Sequence, residues 1–182
     1  SHRPEKLIVI DDGSKDESVV IVERTLSECP FPSELIVREN RGLCATLNEG
    51  LAISNGDYFA YIGSDDVWKR SMLAEQIALL DSRPKAVLAF CHAYLIDEDD
   101  NIIDSTSNWT DFADGDMLPH LLRGQIFSSP GVVYRRAALA NHRWNEQSVL
   151  EEYELYWRRA AEGEFARNTN ILCGWRQHGS NV

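Results

Sequence analysis

Through the first third of the chain, short apolar runs alternate with clusters of turn residues. Residues 6–10 close in Leu-Ile-Val-Ile and stop abruptly at Asp11-Asp12-Gly13-Ser14. An aliphatic run bounded by turn formers predicts a strand buried on both faces, as in a parallel sheet. Asp16 reads as an N-cap, and residues 19–26 supply a helical apolar face before the break at Pro30 and Pro32. Glu34-Leu35-Ile36-Val37 repeats the strand pattern. Asn40-Arg41-Gly42 then turns the chain into a helix carrying Leu43, Leu47, Leu51 and Ile53, which Asn55-Gly56 closes. Residues 57–62 form a third strand that ends in Gly63-Ser64-Asp65-Asp66. Strand, helix, strand, helix, strand predicts right-handed crossovers onto a parallel sheet, an α/β fold. Two of the three strands end in paired aspartates, and open α/β sheets bind ligands beyond the carboxyl ends of their strands.

The remainder is less regular. A helix is predicted over 72–80 and a long strand over 86–96. Asp97-Glu98-Asp99-Asp100-Asn101 turns the chain into a return strand, Ile102-Ile103, in an antiparallel hairpin. That acidic turn reads as a solvated loop with no catalytic role. Residues 105–116, with Trp109, read as a surface loop. A short helix over 118–122, a strand over 131–134, a helix over 149–161 and an extended segment over 165–173 complete the pattern. No repeat or linker divides the chain.

Charge narrows the candidate functions. The 182 residues hold 18 Lys and Arg against 29 Asp and Glu, a net charge of −11, which argues against a reader of nucleic-acid phosphates. No apolar run approaches the ~20 residues of a spanning helix. Cys29, Cys44, Cys91 and Cys173 include no Cys-x-x-Cys pair, so free thiols in a reducing, cytoplasmic setting are expected. The opening residues lack the basic-then-apolar pattern of a signal peptide.

Each acidic cluster has a plain reading and a chemical one. Asp-Asp-Gly-Ser can be a turn with a cap. Paired carboxylates beside a phosphate substrate can equally hold a hard divalent cation, which takes oxygen ligands and bridges to phosphate. Glu151-Glu152-Tyr153-Glu154 opens a helix, where acidic residues suit the macrodipole or supply a general base. Near the end, Arg176 and His178 are either a solvated tail or a charge-balancing guanidinium and a metal ligand.

In order, the stretches LIVIDDGSKDES, ENRGLCATLNEGLAISNGDYFAYIGSDD, SSPGVVYRR, LEEYELYWRRAAEGEF and WRQHGSN resemble the inverting family 2 glycosyltransferases. The resemblance spans residues 7–181. It implies a GT-A fold: a Rossmann-like, mostly parallel sheet flanked by helices, with a small antiparallel hairpin addition. It implies one domain over 1–182, with a nucleotide-sugar half (1–70) and an acceptor-side half (71–182). Asp11 and Asp12 match the pair that meets the nucleotide base, and Arg41 and Asn48 lie on the segment lining the nucleotide pocket. Asp65 and Asp66 match the motif holding the ribose and the metal, Mn²⁺ or Mg²⁺, that bridges the diphosphate. Glu152 matches the general base. Arg176 and His178 match the element that closes over the diphosphate and reaches the metal.

Three features depart from the family pattern. Gly63 stands where many members carry the first Asp of Asp-x-Asp-Asp, and Glu152 replaces the usual Asp. Members also begin with a further βα unit of roughly three dozen residues before the strand that opens here. The resemblance implies hexosyl transfer from a nucleotide diphosphate sugar, a UDP-sugar, to a hydroxyl of a glycan or lipid-linked acceptor. Surface-polysaccharide synthesis in the cytoplasm, with peripheral association at the inner membrane face, is the implied setting. A nucleotide-sugar-binding module without turnover, part of a larger synthase, stays open beside it. A dinucleotide oxidoreductase is excluded, since no Gly-x-Gly-x-x-Gly follows the first strand. His92 reads as a core histidine. Trp68, Trp109, Trp144 and Trp157 read as packing or rim residues, with sugar stacking open to Trp109 and Trp144. Ser128-Ser129-Pro130 falls on the acceptor side.

Overall fold

Strand β1 (Leu7–Asp11) pairs in parallel with β2 (Ser33–Val37), in register from Leu7 opposite Ser33 to Asp11 opposite Val37. Helix α1 (Ser18–Ser27) makes the crossover. Asp16 does bond the helix start, accepting from Ser18 N at 3.0 Å, but the cap position itself is Glu17, whose side chain caps nothing. Helix α2 (Leu43–Ile53) begins at Gly42, whose φ of 86° is a conformation that favours glycine. Its inward face is Cys44, Ala45, Leu47, Asn48 and Leu51. The computed structural model describes residues 3–109, 112–125, 127–148 and 151–179, without the Glu151 side chain. Val149, Leu150, Ser180 and Asn181, which the sequence reading includes in the last helix and last motif, lie outside the described residues.

The third strand departs from the expected parallel set. β3 (Tyr58–Ala60) joins a second sheet, pairing antiparallel with a strand over Val133–Arg135 rather than extending the β1–β2 pair. Arg135 secures this pairing: Nε donates to Ala86 O at 2.8 Å, and the guanidinium lies 5.7 Å from the Tyr58 ring centre. Local periodicity cannot encode a partner some 75 residues away in sequence, which is why the βαβ pattern overextended the parallel sheet.

After β3 come β4 (Val67–Trp68), α3 (Met72–Ser82), β5 (Ala86–Ile96), β6 (Ile102–Ser105), α4 (Leu118–Leu121), β7 (Val133–Arg135), α5 (Glu151–Ala160) and β8 (Glu164–Arg176). The larger sheet runs β3-β7-β5-β8-β4, with β6 also on β5. Its pairing is parallel between β5 and β8 and antiparallel elsewhere, so the α/β class holds while the sheet is mixed.

β5 is the spine, and its alternation sorts the core into two layers. Leu88 and Phe90 face a cluster with Phe112, Phe127, Tyr134, Trp144, Tyr156 and Phe165. Ala89, Cys91 and Ala93 face Met72 and Leu80 of α3, together with Val133 and Cys173. Cys29, Cys44, Cys91 and Cys173 are free thiols, and all but Cys29 are buried. The predicted surface loop over 105–116 is pinned at several points, the backbone exchange of Gly115 with Phe165 among them. Thr106 Oγ1 accepts from Ala93 N at 3.0 Å, and Phe112 is buried against Phe90 and His92. His92 is a core histidine, its Nδ1 3.0 Å from Thr106 Oγ1.

Candidate active site

The carboxyl end of β1 spends its two aspartates on the backbone. Asp11 Oδ1 accepts from Gly13 N at 3.1 Å and Ser14 N at 3.0 Å. Hydrogen bonds from Ser14, side chain and backbone, hold the Asp11 carboxyl below its ordinary range. Asp12 crosses to the start of α2, accepting from Arg41 N at 2.9 Å and Gly42 N at 2.8 Å, and ion-pairs with Arg38. Arg38 also pairs with Glu49 at 2.9 Å and donates to Thr46 Oγ1 at 2.7 Å. Asp12 is thus a brace between β1 and α2.

Arg41 points outward, 3.5 Å from Glu49, and lines a shallow cleft of about 170 Å³ with Gly42, Leu43, Cys44, Ala45, Glu146 and Ser148. Asn48 faces the other way. Its buried amide donates to Trp144 O at 2.9 Å and Glu146 Oε1 at 3.1 Å, and accepts from Trp144 N at 2.9 Å. The structure therefore leaves Arg41 accessible beside the cleft and uses Asn48 to clamp the segment around Trp144.

The second acidic pair meets the end of β8. Val67 of β4 lies opposite Gly174 of β8, which brings Arg176 beside residues 65–66. Arg176 N donates to Asp66 Oδ1 at 2.9 Å, and its Nε donates to Asp65 O at 2.7 Å. The other guanidinium nitrogens reach Asp97 O and Asp100 Oδ1, both at 2.5 Å. The β5–β6 turn, expected only as a solvated loop, thus anchors Arg176. Asp100 there adopts φ 66°, and Asp97 Oδ1 accepts from Asp99 N and Asn101 N. The density of Asp and Asn, residues tolerant of that conformation, was the available signal.

His178 Nε2 lies 3.0 Å from Asp65 Oδ2. Burial, with the negative Asp65 alongside, pushes the Asp66 carboxyl up to about 6 despite the bond from Arg176 N. Two carboxylates and an imidazole in this setting suit a hard divalent ion whose remaining positions go to water and phosphate. Among the described residues no three such side chains converge into a finished cage. Gly63 supplies no carboxylate, and a Cβ there would require the Asp65 carboxyl, 2.7 Å away, to turn aside. The described donor set thus supplies at most part of a divalent ion's shell.

At the start of α5 the acidic cluster divides. Glu154 is taken by Arg158, which donates from Nε at 3.0 Å and Nη2 at 2.7 Å. Glu152 turns inward, and its Oε1 accepts from the phenol of Tyr61. Tyr61, just after β3, is a residue the sequence reading missed. Burial, and the charge on Glu152, raise its phenol well above its ordinary value, as burial also raises those of Tyr134 and Tyr156. Segment 61–66 therefore carries both the partner of Glu152 and the Asp65-Asp66 pair. Trp144 is buried as packing, Trp109 and Trp157 are exposed, and Trp68 donates from its indole to Pro130 O at 2.5 Å.

The profile of Glycosyl transferase family 2 matches residues 1–143. The chain belongs to this family. The matched span of this family 2 glycosyltransferase chain holds Asp11, Asp12, Arg41, Asn48, Asp65 and Asp66, and Glu152, Arg176 and His178 follow it. An uncharacterised glycosyltransferase of Nostoc is 27% identical over 167 residues, covering 90% of this chain and 49% of that protein. The Escherichia coli UDP-Glc:alpha-D-GlcNAc-diphosphoundecaprenol beta-1,3-glucosyltransferase WfaP is 25% identical over 181 residues, 97% of this chain and 67% of WfaP. Among solved structures, Staphylococcus aureus TarS in complex with UDP superposes with a TM-score of 0.73 at 16% identity, over 96% of this chain and 53% of that one. The mannosyltransferase PcManGT of Pyrobaculum calidifontis, in complex with GDP-Man and Mn²⁺, gives 0.72 at 15% identity, over 97% of this chain and 50% of that one. The fold is accordingly GT-A. The family 2 chain spans about half the length of the Nostoc relative and of these solved chains.

Proposed function

We propose that this glycosyltransferase moves a sugar from a UDP-sugar to a hydroxyl of a glycan or lipid-linked acceptor, inverting the anomeric centre. The supporting observation is the clasp at the end of β8, where Arg176 and His178 close on Asp65 and Asp66 and burial lifts the Asp66 carboxyl to about 6. The printed names of WfaP, with a UDP-Glc donor and a diphosphoundecaprenol acceptor, and of TarS bound to UDP support the donor and acceptor classes. A lipid-linked acceptor places the reaction at a membrane surface, and no helix among the described residues is long and apolar enough to cross one.

Asp65, Asp66 and His178 would hold the divalent ion, Mn²⁺ or Mg²⁺. Such an ion, when bound, offsets the charge that develops on the departing diphosphate. Arg176 adds a fixed positive charge at the same end of the sheet. Glu152 removes the proton of the acceptor hydroxyl as that oxygen attacks the anomeric carbon from the face opposite the leaving group. A single displacement inverts the centre. Residues 1–70 serve the donor, and residues 71–182 serve the acceptor side and carry the base.

Calorimetric titration with UDP, with and without Mn²⁺, and UDP release from UDP-glucose test this reading. UDP binding is expected to need Mn²⁺, and Glu152→Gln is expected to bind UDP normally while turning over at least about a hundredfold more slowly. A Glu152→Gln protein that turns over at the wild-type rate overturns the base assignment. Metal-dependent binding by a wild-type protein without turnover marks a binding module instead.

A further inference from the structure

Glu152 hangs from the first turn of α5 by a flexible side chain. That flexibility has a cost for a general base, which must stay within hydrogen-bond reach of one proton. A second hold on the carboxylate removes that freedom. Tyr61, 91 residues earlier in the chain, supplies such a hold by donating its phenol O–H to Glu152 Oε1.

Tyr61 is itself confined. Its ring stands edge-on to Trp144, with centroids 5.8 Å apart at 85°, and Tyr134 meets the same indole at 5.9 Å and 80°. Trp144 is 2% exposed, and its backbone N–H and C=O are both bonded to the Asn48 amide. Swinging Tyr61 away would therefore break a packed aromatic contact fixed from α2. Among the titratable groups that face Glu152 are the phenols of Tyr61 after β3, Tyr134 on β7 and Tyr156 on α5 itself. Each is a buried phenol that stays protonated at neutral pH, so Tyr61 remains a donor.

We propose that Tyr61 is a positioning residue for the transfer reaction: its phenol holds one oxygen of Glu152 so that the carboxylate keeps a single orientation, with Asn48 and Trp144 holding Tyr61 in place. This rests on the reading of Glu152 as the base. It gives a role to a residue two positions before Gly63, and to an asparagine whose amide faces the interior instead of the cleft.

The test compares wild type, Tyr61→Phe and Tyr134→Phe in two measurements. One is the pH profile of UDP release from UDP-glucose with Mn²⁺, and the other a carboxyl ¹³C NMR titration of Glu152 in protein without donor. Tyr61→Phe is expected to lower kcat by about tenfold or more with the donor KM nearly unchanged. It should also move the acid limb of the profile, and the Glu152 titration, to higher pH, because a hydrogen bond to the charged form is lost. Tyr134→Phe should leave both midpoints in place. If Tyr61→Phe does not fold, 3-fluorotyrosine incorporated at position 61, a more acidic donor, should move both midpoints to lower pH. An unmoved Glu152 titration overturns the proposal, even where activity falls, since it leaves Tyr61 only a packing role. A moved titration in a protein that releases no UDP upholds the hold on Glu152 and overturns the transferase reading instead.

Discussion

Asp11-Asp12 and Asp65-Asp66 look alike in sequence, each a pair of aspartates beside Gly and Ser at a strand end, yet the fold treats them in opposite ways. The first pair is satisfied. Asp11 closes its own turn, and Asp12 receives two backbone N–H groups and the Arg38 guanidinium. The second pair is matched less fully: His178 meets Asp65 Oδ2 at 3.0 Å, while burial outweighs the positive groups around Asp66. Asp66 has one backbone N–H, the Arg176 guanidinium is directed at Asp65 O and the β5–β6 turn, and burial carries the Asp66 carboxyl up to about 6. Paired carboxylates are therefore poor evidence of a metal site until their neighbours are counted. The pair that keeps a carboxyl raised by burial is the one that gains most from a cation.

Substitution should separate the two pairs by sign. The largest effect is expected at the satisfied pair. Asp12→Ala removes one of the two carboxylates that pair with the partly buried Arg38 and strands two backbone donors, and should cost about 2–3 kcal/mol of stability in urea unfolding. Loss of less than about 0.5 kcal/mol would show that Asp12 is no brace.

Asp66→Asn should go the other way. The folded carboxyl titrates near 6 and the unfolded one near 3.8, so between those values the folded state holds a proton that the unfolded state has lost. Wild-type stability should therefore fall as pH rises from about 4 to 6 and then level off. The asparagine variant should be flat through that window. Discounted for the partial exposure of the group, its gain at pH 8 is about 1–2 kcal/mol, and it should vanish at pH 3. Equal urea midpoints for the two proteins at pH 8 would remove the electrostatic contrast between the pairs.

The smallest effect sharpens the comparison. Asp100 is an exposed partner of Arg176 at φ 66°, so Asp100→Asn, which keeps that conformation, should shift stability by less than about 0.5 kcal/mol. It removes one negative charge beside Arg176, and UDP affinity at low salt should rise by about twofold, an advantage that screening removes near 0.5 M salt. Weaker UDP binding would instead mean that Asp100 holds Arg176 in its binding geometry.

Elements whose pattern is local were legible in the sequence. α2, α3 and β5 fall within a few residues of their predicted spans, because apolar periodicity and flanking turn residues are read over a single window. What needed a distant partner was not. β3 reads as the third strand of a parallel set, but its ladder runs to β7. The two-residue β4 is too short to carry a pattern, although its pairing with β8 sets Arg176 beside Asp66. Asn48 and Tyr61 show the same divide. Nothing in the sequence around either residue points to Trp144 or Glu152, which meet them from roughly 90 residues away. The acidic turn was placed correctly and its partner was not, since a run of Asp gives no hint of which arginine it will hold.

The layer that carries Asp11 and Asp12 is anchored lightly. Among the described residues neither core cluster includes one before Cys44, α1 buries none of its residues, and Val20 and Ile21 on it are 66% and 49% exposed. With so little apolar surface removed from water, the amides of β1, α1 and β2 in this 182-residue chain should exchange with solvent ahead of those of β5 and β8.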